Sequence, residues 1–503
     1  MSNNDDILVL TTREKDWWWS MQEIFPAIER VWTGIARRER ERVRVLCAPL
    51  LPGIRQDVEA LAARVKMIVL ATVTPGTVEI ALHLRSRLAV DAPMIVYVHG
   101  DSTEGFHAFG ALPDLLTERD VFVVASGSEA AATRLCFPNA RISVIPFPLV
   151  DQFKVSGAER GTKFKTARLA YVGRVAEQKN LHTLLFAMWI LRTAHDSAPR
   201  ITLDVFGGEA NPGSPMMGFE YPDYGGYLRE LAESLGLADA VTWHGTKPRD
   251  WLFYNVHSEP YIFVHPTLLS DENFGSSVLA SLVNGHQVVT TEWGGPRGWQ
   301  EWFPHLTLVP VRRSTRGPVV DPGTLANAIL TATDRMATLA VDDATLDRAR
   351  TEFSERAAVT RAAELLDSPL GDPVPLRKSP VLQHLDKQRV RFGSERKIYA
   401  DYDDPTAQLF FEAYGMKNPL AFEDGASYVL APWVSYSDQV LRIDDPHRGQ
   451  QSFTIDPEIP EPVDVTLCPS TDTCTLPKSL VEKLVAQGYA FHLRRPVVIN
   501  DLG

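Results

Sequence analysis

Four cysteines in 503 residues is a low count, and it excludes the disulfide-stapled scaffolds typical of small secreted domains. Cys468 and Cys474 flank five residues, a spacing that fits no common zinc motif, while Cys47 and Cys136 stand apart. A basic excess is also missing. The net charge of −12 has the wrong sign for a nucleic-acid binder, which must displace counterions from phosphates; a local basic pocket stays compatible with it. No apolar stretch approaches the roughly 20 residues that span a bilayer. The opening "MSNNDDILVL" lacks the cationic region and apolar core of a secretory signal. These absences predict a soluble globular protein in a reducing cytoplasm.

What the chain does have is alternation. Short apolar runs separate amphipathic stretches up to about residue 366. The first series is "ILVL" (7–10), "RVRVLCA" (42–48), "MIVLATV" (67–73), "MIVYVHG" (94–100), "VFVVASG" (121–127) and "SVIPF" (143–147). Continuous apolar runs suit parallel strands buried on both faces. Met21, Ile24, Phe25, Ile28, Val31 and Trp32 recur at helical spacing after the first run. A second series follows a polar, basic interlude at 151–168: "LAYVG" (169–173), "ITLDVFG" (201–207), "VTWHG" (241–245), "YIFVHP" (261–266), "QVVTT" (287–291) and "LTLVP" (306–310).

Two such series predict an α/β protein of two Rossmann-like, doubly wound domains facing a cleft, with ligands at the carboxyl ends of the strands. The expected division is 1–150, then 151–366 with closing helices over 322–366. A proline-rich linker at 367–380 precedes an extension at 381–503 of unknown fold and role. That extension shows turn-rich acidic stretches and one helical pattern, "SLVEKLVAQGYAF".

Several residues could carry chemistry. After "LAYVG", Gly173 leads to Arg174, with Lys179 five residues on. Two cations beyond a strand suit a pyrophosphate, which they neutralise without a metal; solvated surface is the plainer reading of the same pair. The stretch "FVHPTLLSDENFGSSVLASL" passes from a strand into a helix whose first turn is Phe274-Gly275-Ser276-Ser277. Amides and dipole at such a start can hold phosphate. Glu272 beside it could bond sugar hydroxyls, or, with Asp271, simply cap the helix. Gly294 and Gly295 form a second small-residue loop. His99, closing "IVYVHG", can donate a hydrogen bond to substrate or serve a structural role. His244, closing "VTWHG", belongs with the donor-side candidates.

In order and spacing these segments resemble the retaining GT-B glycosyltransferases of family 4. "YVGRVAEQKNLHTLL" looks like the Gly-Arg-x4-Lys segment of that family. "ENFGSSVLASLVNGHQVVTTEWGGP" resembles its Glu-x-Phe-Gly-x4-Glu helix, following strand and Gly-Gly loop. "VVASGSEAAATRL" and "ISVIPFPLVDQF", with Asp151, resemble the end of its first domain, and "FSERAAVTRAAELL" its closing helix. The resemblance spans roughly residues 5–366. It implies a nucleotide-sugar donor, no metal cofactor, and a front-face displacement that retains anomeric configuration. Arg174 and Lys179 would take the diphosphate and Glu272 the sugar. Phe274, Gly275 and Ser276 would offer backbone contacts nearby, and His99 would touch the transferred sugar.

One carboxylate is absent. The family places a second glutamate eight residues after the first, and here that position is Ala280. In similar enzymes it accepts hydrogen bonds from ribose hydroxyls, a loss of about 1.5–3 kcal/mol per bond, or ~10²–10⁴-fold in affinity for two. Such a loss chiefly raises donor KM, and Ser277 and Ser281 flank the gap with hydroxyls. The insert "GGEANPGSPMMGFEYPDYGGYL" lengthens another loop. On the acceptor side, Trp17, Trp18 and Trp19 could stack on a saccharide, lipid-linked or protein acceptor. "ARRERERVR" (36–44) could approach anionic headgroups, or be a solvated helix end. A rival reading is a non-catalytic scaffold or nucleotide-sugar-binding module whose extension binds a partner. Oligomeric state stays open.

Overall fold

The computed structural model describes residues 6–12, 19–39, 42–49, 51–100, 112–149, 151, 166–194, 200–209, 223–269, 272–315, 317–338, 341–368, 371–384, 405–445, 449–456, 458 and 460–493. The chain forms two compact units. One comprises Met1–Lys154, Asp271–Val283 and Asp343–Glu395; the other comprises Val155–Ser270, Asn284–Asp342 and Arg396–Gly503.

The first unit is built on a parallel six-stranded sheet of β1 (Asp6–Thr12), β2 (Arg42–Ala48), β3 (Val65–Leu70), β4 (Met94–Tyr97), β5 (Val121–Val124) and β6 (Arg141–Val144), ordered β2-β1-β3-β4-β5-β6. β1, β4 and β5 are buried at every residue, which is why their sequences read as unbroken apolar runs. The helix Trp19–Arg38 buries Met21, Ile24, Phe25, Ile28, Val31 and Trp32. It packs against the helix Glu355–Leu366, where Arg30 pairs with Glu355 at 2.9 Å and Arg38 donates to Thr360 at 2.7 Å. Ser354 caps that second helix, and Asp151 accepts a further bond from the Glu355 amide at 2.7 Å. The stretch at 371–384 lies on this unit: Pro375 bridges Thr117, and the amides of Leu376 and Ser379 donate to the Leu116 and Cys136 carbonyls.

The second unit has its own parallel sheet: β7 (Thr166–Val172), β8 (Arg200–Phe206), β9 (Val241–Gly245), β10 (Ile262–His265), β11 (Val288–Thr291) and β12 (Leu306–Val309), ordered β12-β11-β10-β7-β8-β9. Read from β9, this is the 3-2-1-4-5-6 order of dinucleotide-binding folds, with strand order reversing between β7 and β10. The corresponding reversal in the first unit falls between β1 and β3.

Beyond these twelve strands the chain forms more sheet than its pattern predicts. β13 (Val311–Ser314), β14 (Gly317–Val320) and β15 (Lys417–Pro419) form one small sheet. A second contains β16 (Tyr428–Leu430), β20 (Pro462–Thr466), β21 (Thr473–Pro477) and β22 (Ala490–His492), and a third β17 (Val434–Ser437), β18 (Val440–Asp445) and β19 (Gly449–Thr454). The predicted helix over "SLVEKLVAQGYAF" is corrected. It spans Lys478–Ala486, then Gly488 at φ +71° ends it, and Ala490–His492 is strand. The Tyr489 amide bonds the Leu484 carbonyl and the Gly488 amide that of Val485, a Schellman closure that favours glycine. The four cysteines are free. Burial pushes the Cys474 thiol up to about 11, with Asp464 adding to it. Among the described residues no helix is long and apolar enough to cross a membrane.

Candidate functional site

The chemistry of the second unit gathers where its strand order reverses. Gly173, just past β7, bonds the Phe206 carbonyl, and the Val175 amide bonds that of Gly208, so the exits of β7 and β8 run side by side. A Cβ on Gly207 would stand 1.7 Å from the Gly173 carbonyl oxygen; only glycine permits that approach. The buried Tyr171 hydroxyl donates to the Arg174 carbonyl at 2.6 Å, fixing the backbone from which Arg174 projects. Lys179 ends a short 3-10 turn closed by Asn180 in the left-handed region, φ +59°. Its ammonium lies 3.5 Å from the Thr267 hydroxyl at the exit of β10. The Leu268 amide bonds the Gln178 carbonyl at 2.7 Å. Arg174 and Lys179 are therefore half-buried cations on a braced turn at the crevice where doubly wound sheets bind ligands. Gly207, Gly208, Tyr171 and Thr267 escape the sequence reading. The paired glycine of "VFGG" is the one visible signal, for a hydroxyl reaching a carbonyl leaves none.

The first unit holds the other candidates. His99 follows β4 with its ring 5.4 Å from both Phe25 and Phe147, and 6.4 Å from Tyr97. Burial pushes its pKa down to about 4, against the opposing pull of the Ala71 carbonyl. That carbonyl lies 2.9 Å from Nε2 and can only accept, so neutral His99 carries its proton on Nε2 and presents Nδ1 as an acceptor. The Nε2 proton is thus already given to Ala71, and in this tautomer the other ring nitrogen can accept but not donate. Phe147 also meets Phe274 edge-on at 5.2 Å, and Phe274 meets Phe353 at 6.3 Å. The phenyl of the Glu-x-Phe-Gly segment is core, anchoring the start of the helix Ser276–Val283 beside the His99 cluster. Gly275 turns the chain at φ +80°, with Ser276 and Ser277 half-buried in the first helical turn and Glu272 half-buried ahead of it.

Other candidates find partners elsewhere. His244 bonds Asp204 at 2.6 Å and stacks on Phe206 at 4.4 Å. Asp204 also accepts from Tyr261 at 2.9 Å, and the Arg168 guanidinium covers the Tyr261 ring. His244 thus belongs to a network across the sheet face. The Gly294 amide donates to the Tyr414 carbonyl at 2.9 Å, and Gly295 is buried at the start of a 3-10 turn, so the Gly294 N–H is already used within the chain. Ser281 is buried and donates to the Ser277 carbonyl at 2.9 Å, which removes one hydroxyl from those flanking Ala280. Arg38 and Arg42 of the basic run pair with Glu39 and Asp6. Trp17 and Trp18 lie outside the described residues, as do Asp271 and most of the long insert, and Trp19 is described only as the first residue of its helix.

A sheet of dinucleotide-binding order, with glycine-lined strand exits and two half-buried cations at its reversal, has the chemistry that suits an anionic ligand such as phosphate. Residues 157–299 match the family of glycosyl transferases group 1, and the segments "YVGRVAEQKNLHTLL" and "ENFGSSVLASLVNGHQVVTTEWGGP" that carry the resemblance lie within that stretch. Among curated proteins none matches the chain. Among solved structures, a glycosyltransferase from Rickettsia africae aligns at 14% identity over 73% of this chain and 100% of its own, TM-score 0.46. WaaG, a glycosyltransferase of lipopolysaccharide biosynthesis, aligns at 13% over 72% and 100%, TM-score 0.43. An E. coli trehalose-6-phosphate protein bound with UDP-2-fluoro glucose aligns at 11% over 73% and 100%, TM-score 0.43.

Proposed function

We propose that the chain is a retaining glycosyltransferase that moves a sugar from a nucleotide-sugar donor to a saccharide, lipid-linked or protein acceptor. The observation that carries this reading is the pair Arg174 and Lys179 on the braced exit of β7, beside β10. Departure of a nucleoside diphosphate builds negative charge on the leaving oxygens. Two preorganised cations stabilise that charge more as it develops, which lowers the barrier rather than only tightening binding.

In this reading the leaving phosphate accepts the acceptor's proton and the new bond forms on the face the donor vacates. Glu272 bonds sugar hydroxyls, and neutral His99 accepts from the transferred sugar. No metal is required, so EDTA leaves the rate unchanged. A reducing cytoplasm suits the four free thiols.

The test is a donor panel with anomeric analysis of the product. Transfer with retained configuration, abolished by Glu272→Ala and by Arg174→Ala, is the expected result. Absence of both transfer and donor hydrolysis across the panel overturns the reading. Ala280 favours one rival, a non-catalytic donor-binding module. Calorimetry decides between them: nucleotide binding without any turnover, in the parent and in Ala280→Glu alike, selects the rival.

A further inference from the structure

Three strand exits of the second unit are tied together in the order in which the strands lie in its sheet. At β7, the Gln178 carbonyl takes the Leu268 amide at 2.7 Å, and Lys179 reaches Thr267. At β10, the Thr267 carbonyl accepts from the Thr291 hydroxyl at 2.6 Å, and the Leu269 carbonyl accepts from the Trp293 indole N–H at 2.7 Å. At β11, Trp293 is fully buried, its ring 6.2 Å from Phe411 and 5.8 Å from Tyr414.

Phe411 and Tyr414 belong to the helix Pro405–Tyr414 of the C-terminal extension. The grip of this extension continues around Trp293. Gly294 donates to the Tyr414 carbonyl at 2.9 Å, Lys417 pairs with Glu292, and a Cβ on Gly415 would stand 2.4 Å from the Glu292 carbonyl oxygen. Lys417 also opens β15, which pairs with β13.

We infer that Trp293 is a positioning residue through which the C-terminal extension holds the Thr267–Leu269 segment, and thereby Lys179, in place for the donor diphosphate. The inference deepens the donor reading above and rests on it for the ligand. Its physical basis is that Lys179 sits on a long, flexible stem whose ammonium is aimed by what stands beside it. That neighbour, Thr267, is held through its carbonyl by β11 and through the next residues by Gln178 and Trp293. Trp293 is the one indole in this chain of contacts. It joins them by a directed hydrogen bond on one side and by ring packing on the other, so the two functions can be separated.

Trp293→Phe keeps an aromatic ring against Phe411 and Tyr414 while removing the donor to Leu269. The probes are UDP, GDP, ADP and dTDP, the tightest of them for the parent being used in calorimetry on the full chain, alongside amide hydrogen exchange without ligand. Trp293→Phe is expected to weaken that diphosphate about five-fold, the worth of one neutral hydrogen bond, and to speed exchange at the Leu268 amide. The melting temperature should fall by only a few degrees. In a Lys179→Ala background the same substitution should add nothing further, because its effect passes through the lysine. Unchanged affinity despite a lowered melting temperature, or losses from the two substitutions that simply multiply, overturns the inference. A parent chain that binds none of the four diphosphates overturns the donor reading instead. The positioning link is then decided by exchange at Leu268: acceleration supports it, and unchanged protection refutes it.

Discussion

The two parallel sheets have related strand orders but chemically opposite carboxyl edges. At the reversal of the first, between β1 and β3, stand Thr11, Thr12, Thr72 and Thr74, all buried, with a neutral His99 one strand on. The Thr11 and Thr72 hydroxyls have no hydrogen-bond partner among the described residues. At the reversal of the second, between β7 and β10, stand Arg174, Lys179 and close-packed glycines. One edge offers uncharged groups suited to hydroxyls; the other offers fixed positive charge suited to phosphate. Similar frames therefore present different chemistry, because the residues just beyond each strand differ.

The strongest test of this contrast removes the charge. Arg174→Ala with Lys179→Ala should weaken nucleoside diphosphate binding by ~10²–10⁴-fold, from two charge-assisted contacts, measured by calorimetry at fixed salt. Comparable loss from a substitution at His99 would erase the distinction between the edges. His99→Ala should instead leave diphosphate affinity unchanged and lower kcat about 10- to 100-fold. With the folded pKa near 4, activity should show no His99 titration between pH 5.5 and 8, and an NMR titration of its ring should stay flat over that range.

Buried imidazoles also shape the second unit. His257 stacks on Phe263 at 5.0 Å; burial, then neighbouring His286 and His265, push its pKa down to about 3. The unfolded chain binds this proton near pH 6.5 and the folded chain does not. Stability is therefore full above about 6.5 and falls as the pH drops towards 3. His257→Phe should flatten that acid slope in urea denaturation while changing stability little at pH 7.5. The smallest effect is expected in the extension: Gly488→Ala should cost about 1 kcal/mol, the penalty for a side chain in the left-handed region, without altering diphosphate affinity.

The central strands of the two β/α sheets were legible because burial on both faces writes itself as an unbroken apolar run, as in "ILVL" and "VFVV", while the more exposed β2, β6 and β9 were legible from their place in the alternation. The strands of the extension were not, since polar residues break runs such as "GQQSFT" and "PVDVT" and β15 is exposed throughout. The positions of Arg174 and Lys179 just beyond β7 were legible from their spacing after an apolar run. The proton of His99 was not, because it depends on a carbonyl 28 residues away. The partner of His244 was hidden for a similar reason: Asp204 lies on a neighbouring strand and leaves no mark in the local sequence.

The helix Pro405–Tyr414 and the strand after it have a practical consequence. A polypeptide ended at Leu366 would keep every recognisable motif, yet it would bare Trp293 to water and strip β13 of its third strand. Phe186 would lose its edge contact with Phe491, and Gly323 the backbone of His492 beside it. Trimming to the motifs would thus lay bare apolar surface that the extension covers, and such a fragment is expected to aggregate.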